Sequence, residues 1–198
     1  MTKKLAVVLF IFCYFATGYS ACSKAENETL PLSAKAFVLM DAVSGRILLE
    51  KNAQEKMPMA STTKIMTAVI ALEKGDLNSR IKVSQKAASM GGSSFYLKSG
   101  ETMTLENMLY GLLLPSGNDA AVAIAEYIGV TEEKFVQIMN KKALELGALN
   151  THFTNPHGLD DPEHFTTAKD LAVIAKHAWK YNKFREIVQT NTKEIKDG

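Results

Sequence analysis

Residues 57–75 read MPMASTTKIMTAVIALEKG, and the apolar spacing in this stretch decides how the rest is assembled. Ile65, Met66, Val69, Ile70 and Leu72 recur at the period of a helix, with Pro58 before them and Gly75 after. Ser61 to Lys74 is therefore expected to be a helix buried in the core. At its start stands Ser61-Thr62-Thr63-Lys64. Residues three apart share a helical face, so Ser61 Oγ and the Lys64 amine are expected within hydrogen-bond reach. A serine hydroxyl needs a base to become a nucleophile, and an amine can be that base once burial or nearby positive charge lowers its pKa from about 10.4. The start of an apolar helix offers burial, and its free N–H groups favour negative charge developing on a carbonyl oxygen. Ser61 also has a plainer reading as a helix N-cap. The same spacing recurs at Ser79-Arg80-Ile81-Lys82, but there it enters an Ile81/Val83 alternation in which residues three apart point to opposite faces, so it serves as an internal control.

Working outward, Ala36–Met40 and Ile47–Leu49 are apolar runs on either side of turn chemistry at Ser44-Gly45, a hairpin. Neither run alternates cleanly, which suggests burial on two faces. The stretch Ile81–Ser99 is mixed, with a loop at Gly91-Gly92-Ser93-Ser94. Thr104 caps a helix that runs to Leu114 and ends at Pro115. Ser116-Gly117-Asn118 forms a turn, and Ala120–Tyr127 continues as an apolar helix closing at Gly129. Thr131, Glu132 and Glu133 open a further helix to Gly147, with the acids near its positive end. A loop at Asn150–Phe165 holds three of the four histidines, and Thr167 with Asp170 starts a last helix, Ala168–Tyr181.

The Ser116-Gly117-Asn118 turn sits between two apolar helices. A loop pinned in this way can present a hydroxyl and an amide to a cleft, as a proton relay and a substrate-orienting hydrogen bonder. Alone, it is also an ordinary Pro-Ser-Gly-Asn turn.

The 198 residues are 46% apolar and 22% charged, which fits a globular chain and excludes a disordered tail. The net charge of +2 is too small for a footprint on a phosphate backbone, so nucleic acid is not an expected partner. Lys3, Lys4 and Lys24 account for the excess: without residues 1–25, 20 basic residues face 21 acidic ones. Lys3 and Lys4 precede an apolar run from Leu5 to Ala16 and small residues at Ala21–Ala25, the layout of a secretory signal peptide and too short to span a bilayer comfortably. Cleavage is expected after Ala25, or before a lipidated Cys22. Cys13 lies inside the leader, so the mature chain has at most one cysteine and neither a disulfide nor a thiol metal site.

Taken together, Ser61-x-x-Lys64 and Ser116-Gly117-Asn118 resemble the penicillin-recognising serine D,D-peptidases, specifically the low-molecular-weight D-alanyl-D-alanine carboxypeptidases. Their superfamily carries S-x-x-K, S-D-N and K-T-G. The resemblance extends through Asp41-Ala42, Ser44-Gly45, Met57-Pro58, Ala60, Leu113–Ala121 and Asn155-Pro156-His157-Gly158-Leu159, covering roughly residues 36–190. It implies an α+β fold of the β-lactamase/D,D-peptidase type, a helical lobe packed on an antiparallel sheet. It further implies Ser61 as the acylated nucleophile, Lys64 as its general base, Ser116 as a relay and Asn118 as a substrate-binding residue. Gly117 stands where β-lactamases have Asp, which favours a carboxypeptidase.

The implied activity is removal of the terminal D-Ala from peptidoglycan stem peptides through an acyl-enzyme, with β-lactams as covalent inhibitors and no metal or organic cofactor. A β-lactamase, or a non-catalytic binding protein on the same scaffold, is the alternative. The implied location is the cell envelope, at the periplasmic or extracellular face of the cytoplasmic membrane. Membrane association would come from lipidated Cys22 or from a C-terminal anchor beyond the sequence.

Lys-Thr-Gly does not occur; Asn191-Thr192-Lys193 is no match. The expectation is a truncated chain, a signal peptide at 1–25, a lead-in at 26–34 and a partial catalytic domain at 35–198. Its sheet would be incomplete and its hairpin would expose apolar edges. In relatives the absent part supplies an edge strand, an oxyanion-hole N–H and cationic recognition of the substrate carboxylate.

His152, His157 and His164 with Asp160 and Asp161 lack helical i, i+4 spacing, so no metal site is expected. His177 reads as a packing residue. Lys141-Lys142 and Lys180–Arg185 read as solvated faces, and the scattered methionines as gap fillers.

Overall fold

In the computed structural model, which describes residues 32–195, the apolar stretch of the opening motif is the central helix α1, Lys64–Lys74. A single 3₁₀ turn at Ala60–Thr63 leads into it. Met66, Ala68, Val69, Ile70 and Ala71 are each at most 1% exposed, because other helices surround α1. These are α3 (Leu105–Leu113), α4 (Asn118–Gly129), α5 (Glu132–Leu146) and α6 (Ala168–Ala178). Two apolar clusters meet on it. Val69 belongs to one together with Leu109, Leu112 and Ile124; Met66 and Ile70 belong to the other together with Phe135, Met139, Phe153 and Ile174. Burying one such side chain contributes about 1.5–3 kcal/mol, so α1 is held from both sides and its first turn has a fixed place. Met66, Met108 and Met139 lie within this packing as gap fillers.

The hairpin forms as read: β1 (Phe37–Met40) pairs antiparallel with β2 (Ile47–Lys51), with a register shift at Leu39/Met40. Asp41 accepts the Ser44 backbone N–H at 2.7 Å, and Gly45 takes φ +79° in the turn. The expected burial on two faces is not found. β1 packs on α6, and among the described residues no further strand joins the pair. Leu39, Leu48 and Leu49 are consequently 43–50% exposed, as an incomplete sheet requires. A second small sheet pairs β3 (Arg80–Lys82) with β4 (Thr102–Thr104); its partnership was not readable from residues so few. The short helix α2 (Gln85–Ala88) follows β3. The α+β architecture is as expected.

Two boundaries and one surface assignment differ from the reading. Helical hydrogen bonding begins at Lys64, so Ser61 stands on the 3₁₀ turn and makes no N-cap bond. The last helix breaks at Trp179–Tyr181 and resumes as α7, Asn182–Val188. The lysine pairs are not simply solvated: Lys142 Nζ lies 2.7 Å from Glu73, and Lys183 Nζ lies 2.8 Å from Glu106 and 2.7 Å from Glu186. The expected leader at 1–25 and residues 26–31 of the expected lead-in lie outside the described residues.

Candidate active site

Ser61 is exposed and Lys64 is 2% exposed, although both belong to one turn of chain. The two meet at 3.4 Å, Lys64 Nζ to Ser61 Oγ. Two stronger bonds hold the amine from the other sides: Nζ donates to Asn118 Oδ1 at 2.7 Å and to the His157 carbonyl at 2.7 Å. Burial pushes Lys64 down to about 8, against the upward pull of Asp119. With two N–H bonds directed at Asn118 and His157, the lone pair of the neutral amine is left to face Ser61 Oγ. The control motif has no such arrangement: Ser79 faces Asp76, and Lys82 is exposed on β3.

Asn118 is the first residue of α4, so the second motif is a turn that runs directly into a helix. Asn118 is fixed at side chain and backbone alike, with Nδ2 donating to the Gly91 carbonyl at 2.7 Å and the backbone N–H to Ser93 O at 2.8 Å. Gly117 has no room for a side chain: a Cβ would lie 2.6 Å from Asp119 Oδ1 and 2.8 Å from Gly111 O. Ser116 takes φ +61°, unusual for a residue with a Cβ. Its Oγ is buried, and among the described residues it has no hydrogen-bond partner. Lys64, Ser61 and Asn118 are thus joined by hydrogen bonds, whereas Ser116 is not joined to them.

The loop at 150–165 closes one side of the site and is tied to the first turns of α1. Thr67 Oγ1 donates to Pro156 O at 2.7 Å, and Thr63 Oγ1 donates to Ala60 O at 2.8 Å while meeting His164 Nε2 at 2.7 Å. Because Thr154 N–H donates to His164 Nδ1 at 3.0 Å, the His164 proton sits on Nε2. Asn155 Oδ1 accepts from the Gly158 N–H at 2.6 Å and shapes the turn. His157 is buried; Leu159 N–H donates to its Nδ1 at 3.1 Å, leaving Nε2 to face Glu132 at 3.7 Å. Burial pushes His157 down to about 4 despite Glu132, so its ring is neutral near pH 7. A cleft of about 330 Å³, lined in part by Pro58, Met59, Ala60, Gly158, Leu159 and His164, opens one residue away from Ser61.

Reading the residues alone left the His157 carbonyl, Thr63, Thr67, His164 and Asp119 unassigned. Among the described residues no group of three or more His, Cys, Asp and Glu side chains is placed to hold a metal ion, and His157 and His164 have the partners given above. His177 bonds Glu73 at 2.9 Å, together with Tyr181 at 2.8 Å.

Residues 22–197 match the D-alanyl-D-alanine carboxypeptidase family. Over 195 residues the chain is 40% identical to D-alanyl-D-alanine carboxypeptidase DacF of Bacillus subtilis, covering 96% of this chain and 50% of that protein. To the D-alanyl-D-alanine carboxypeptidase of a Streptomyces species it is 34% identical, covering 96% of this chain and 70% of the relative. Among solved structures, that of D-alanyl-D-alanine carboxypeptidase DacD from Francisella tularensis superposes with a TM-score of 0.73 at 42% identity, over 80% of this chain and 39% of that one. The chain spans about half the length of the Bacillus relative. With its helical core, its Ser61-x-x-Lys64 turn and a match over almost its whole length, the chain belongs to the D-alanyl-D-alanine carboxypeptidase family.

Proposed function

We propose that this protein is an exported serine carboxypeptidase that removes the terminal D-Ala from peptidoglycan stem peptides, and that β-lactams acylate the same serine. The observation that carries the reading is the bonding of Lys64: a buried amine, held by Asn118 Oδ1 and the His157 carbonyl, faces the hydroxyl of an exposed serine. In the reaction, the Ser61 Oγ–H proton passes to the neutral Lys64 amine as Oγ bonds to the carbonyl carbon of the penultimate D-Ala. Collapse of the tetrahedral intermediate breaks the peptide bond, a proton goes to the departing amine of D-Ala, and an ester on Ser61 remains. Water then attacks the ester, giving a proton to the active-site base, and restores Ser61. Ser116, whose buried hydroxyl has no hydrogen-bond partner among the described residues, is suited to relay the proton to the leaving amine. Asn118 is suited to orient the substrate.

The cleft beside Ala60 provides space for the peptide. Export is proposed from the leader at residues 1–25, with the cell envelope as the place where such a substrate occurs. Among the described residues no helix is long and apolar enough to cross a membrane. The test is release of D-Ala from a peptide ending in D-Ala-D-Ala. The protein is expected to release it and Ser61→Ala to release none. Equal release by both, or none by the folded wild-type protein, overturns the proposal.

A further inference from the structure

Asp119 follows Asn118 in the first turn of α4 and is 1% exposed. Its carboxylate is closed by four donor groups: Ser94 Oγ at 2.7 Å, Phe95 N–H at 2.9 and 3.0 Å, Leu97 N–H at 3.1 Å and Ala120 N–H at 2.9 Å. All are neutral. Among the described residues no cation lies within 4 Å of it, an unusual condition for a buried acid. Three of the four donors belong to the loop after α2. The same loop presents the Gly91 and Ser93 carbonyls that fix both ends of Asn118, whose Oδ1 in turn holds Lys64 Nζ.

The other charged groups around Lys64 do not balance it. His157, on the 150–165 loop, has a neutral ring near pH 7. His164, on the same loop and reached through Thr63, is pushed down by burial. Glu132, on α5, is 2.6 Å from Lys86 of α2, an ion pair that neutralises itself. Asp119, on α4, is the neighbour of Asn118, whose Oδ1 holds Lys64 Nζ, and its charge favours the ammonium.

We infer that Asp119 is a positioning residue for the reaction proposed above: its caged carboxylate holds the loop that fixes Asn118, which in turn holds Lys64, and it places a buried negative charge one residue from Asn118. The inference rests on the assignment of Lys64 as the base. It separates two effects that one substitution would otherwise merge. Asp119→Asn removes the charge and keeps a side chain of similar shape. Asp119→Glu keeps the charge but overfills the cage.

The experiment titrates Lys64 in the unliganded protein through the NMR shift of ¹³C-labelled lysine, and measures acylation by a labelled penicillin against pH. In Asp119→Asn the Lys64 midpoint is expected to move to lower pH, with the acidic limb of acylation following it. In Asp119→Glu the midpoint is expected to stay with the wild type. In both, the plateau rate is expected to fall about 10–100-fold, the cost of misplacing a reacting group. An unmoved Lys64 midpoint in Asp119→Asn overturns this inference alone. Absence of acylation in folded wild-type protein overturns the proposed function instead, and the titration still reads the charge effect. Should Asp119→Asn fail to fold, Ser94→Ala removes one donor and leaves the charge in place. A plateau several-fold lower with an unchanged midpoint is expected, and a wild-type plateau overturns the positioning role.

Discussion

The α-carbon of Gly158 rests against the carbonyl of Ala60 so closely that a methyl group on it would overlap that carbonyl. Gly158 takes φ +91° and Ala60 φ +43°, both in the left-handed region, where a residue with a Cβ is strained. The contact presses the 150–165 loop onto the chain immediately before Ser61. Gly158→Ala is expected to destabilise the fold by about 2–4 kcal/mol, through steric overlap and backbone strain together. Urea unfolding at pH 7 reads this, and a midpoint equal to the wild type would show that the loop can retreat without cost.

Acylation should follow the free-amine form of Lys64. Burial holds its pKa at about 8, so the second-order rate is expected to rise about tenfold per pH unit below that value and level off above it. Lys64→Met should abolish the rise along with the activity. Stopped-flow acylation between pH 5.5 and 9.5 checks both; a flat profile in the wild type would remove Lys64 as the base.

Glu73 ties α1 to α5 and to the end of α6, accepting from Lys142 at 2.7 Å, His177 at 2.9 Å and Tyr181 at 2.8 Å. Burial alone would raise its pKa, but the bonds from Lys142, His177 and Tyr181 outweigh it and hold the carboxyl at about 2. A depressed carboxyl stabilises the fold fully above its unfolded value near 4.5, and that contribution is lost as the pH falls through about 2. Glu73→Ala is expected to cost about 1–3 kcal/mol at pH 7. Denaturation midpoints at pH 7 and pH 2.5 should show the gap between variant and wild type narrowing in acid.

His157 is a second source of acid sensitivity. Its folded pKa of about 4 lies below the ordinary 6.5, so the unfolded chain binds the extra proton first. Stability is therefore expected to decrease as the pH falls from about 6.5 to 4. The ¹⁵N shifts of the ring should show a neutral Nε2–H tautomer at pH 6. An imidazolium at that pH would contradict the burial assigned to it.

Much of this was legible from residue types because local chemistry determined it. Thr104, Thr131 and Thr167 each accept a backbone N–H three residues on, so the starts of three helices could be read directly. Ser61 and Lys64 were paired by spacing, and the pairing survives although a 3₁₀ turn, not the α-helix, carries Ser61. The partners of Lys64 divide differently. Asn118 stood out as an amide on a pinned turn, whereas the His157 contact is made by a backbone carbonyl, which every residue has. Asp119 drew no assignment from its residue type, because its cage depends on a loop more than twenty residues earlier in the chain. The ion pairs of Lys142 with Glu73 and of Lys183 with Glu106 escaped reading because the partners lie far apart in sequence.

The central claim is that Ser61 is the nucleophile and Lys64 its base, and peptide mapping of a penicillin adduct tests it most directly. After incubation with a labelled β-lactam, digestion and mass spectrometry should place one adduct on the peptide containing Ser61, with none in Ser61→Ala and almost none in Lys64→Met. An adduct on another residue, or one that persists undiminished in Ser61→Ala, would contradict it.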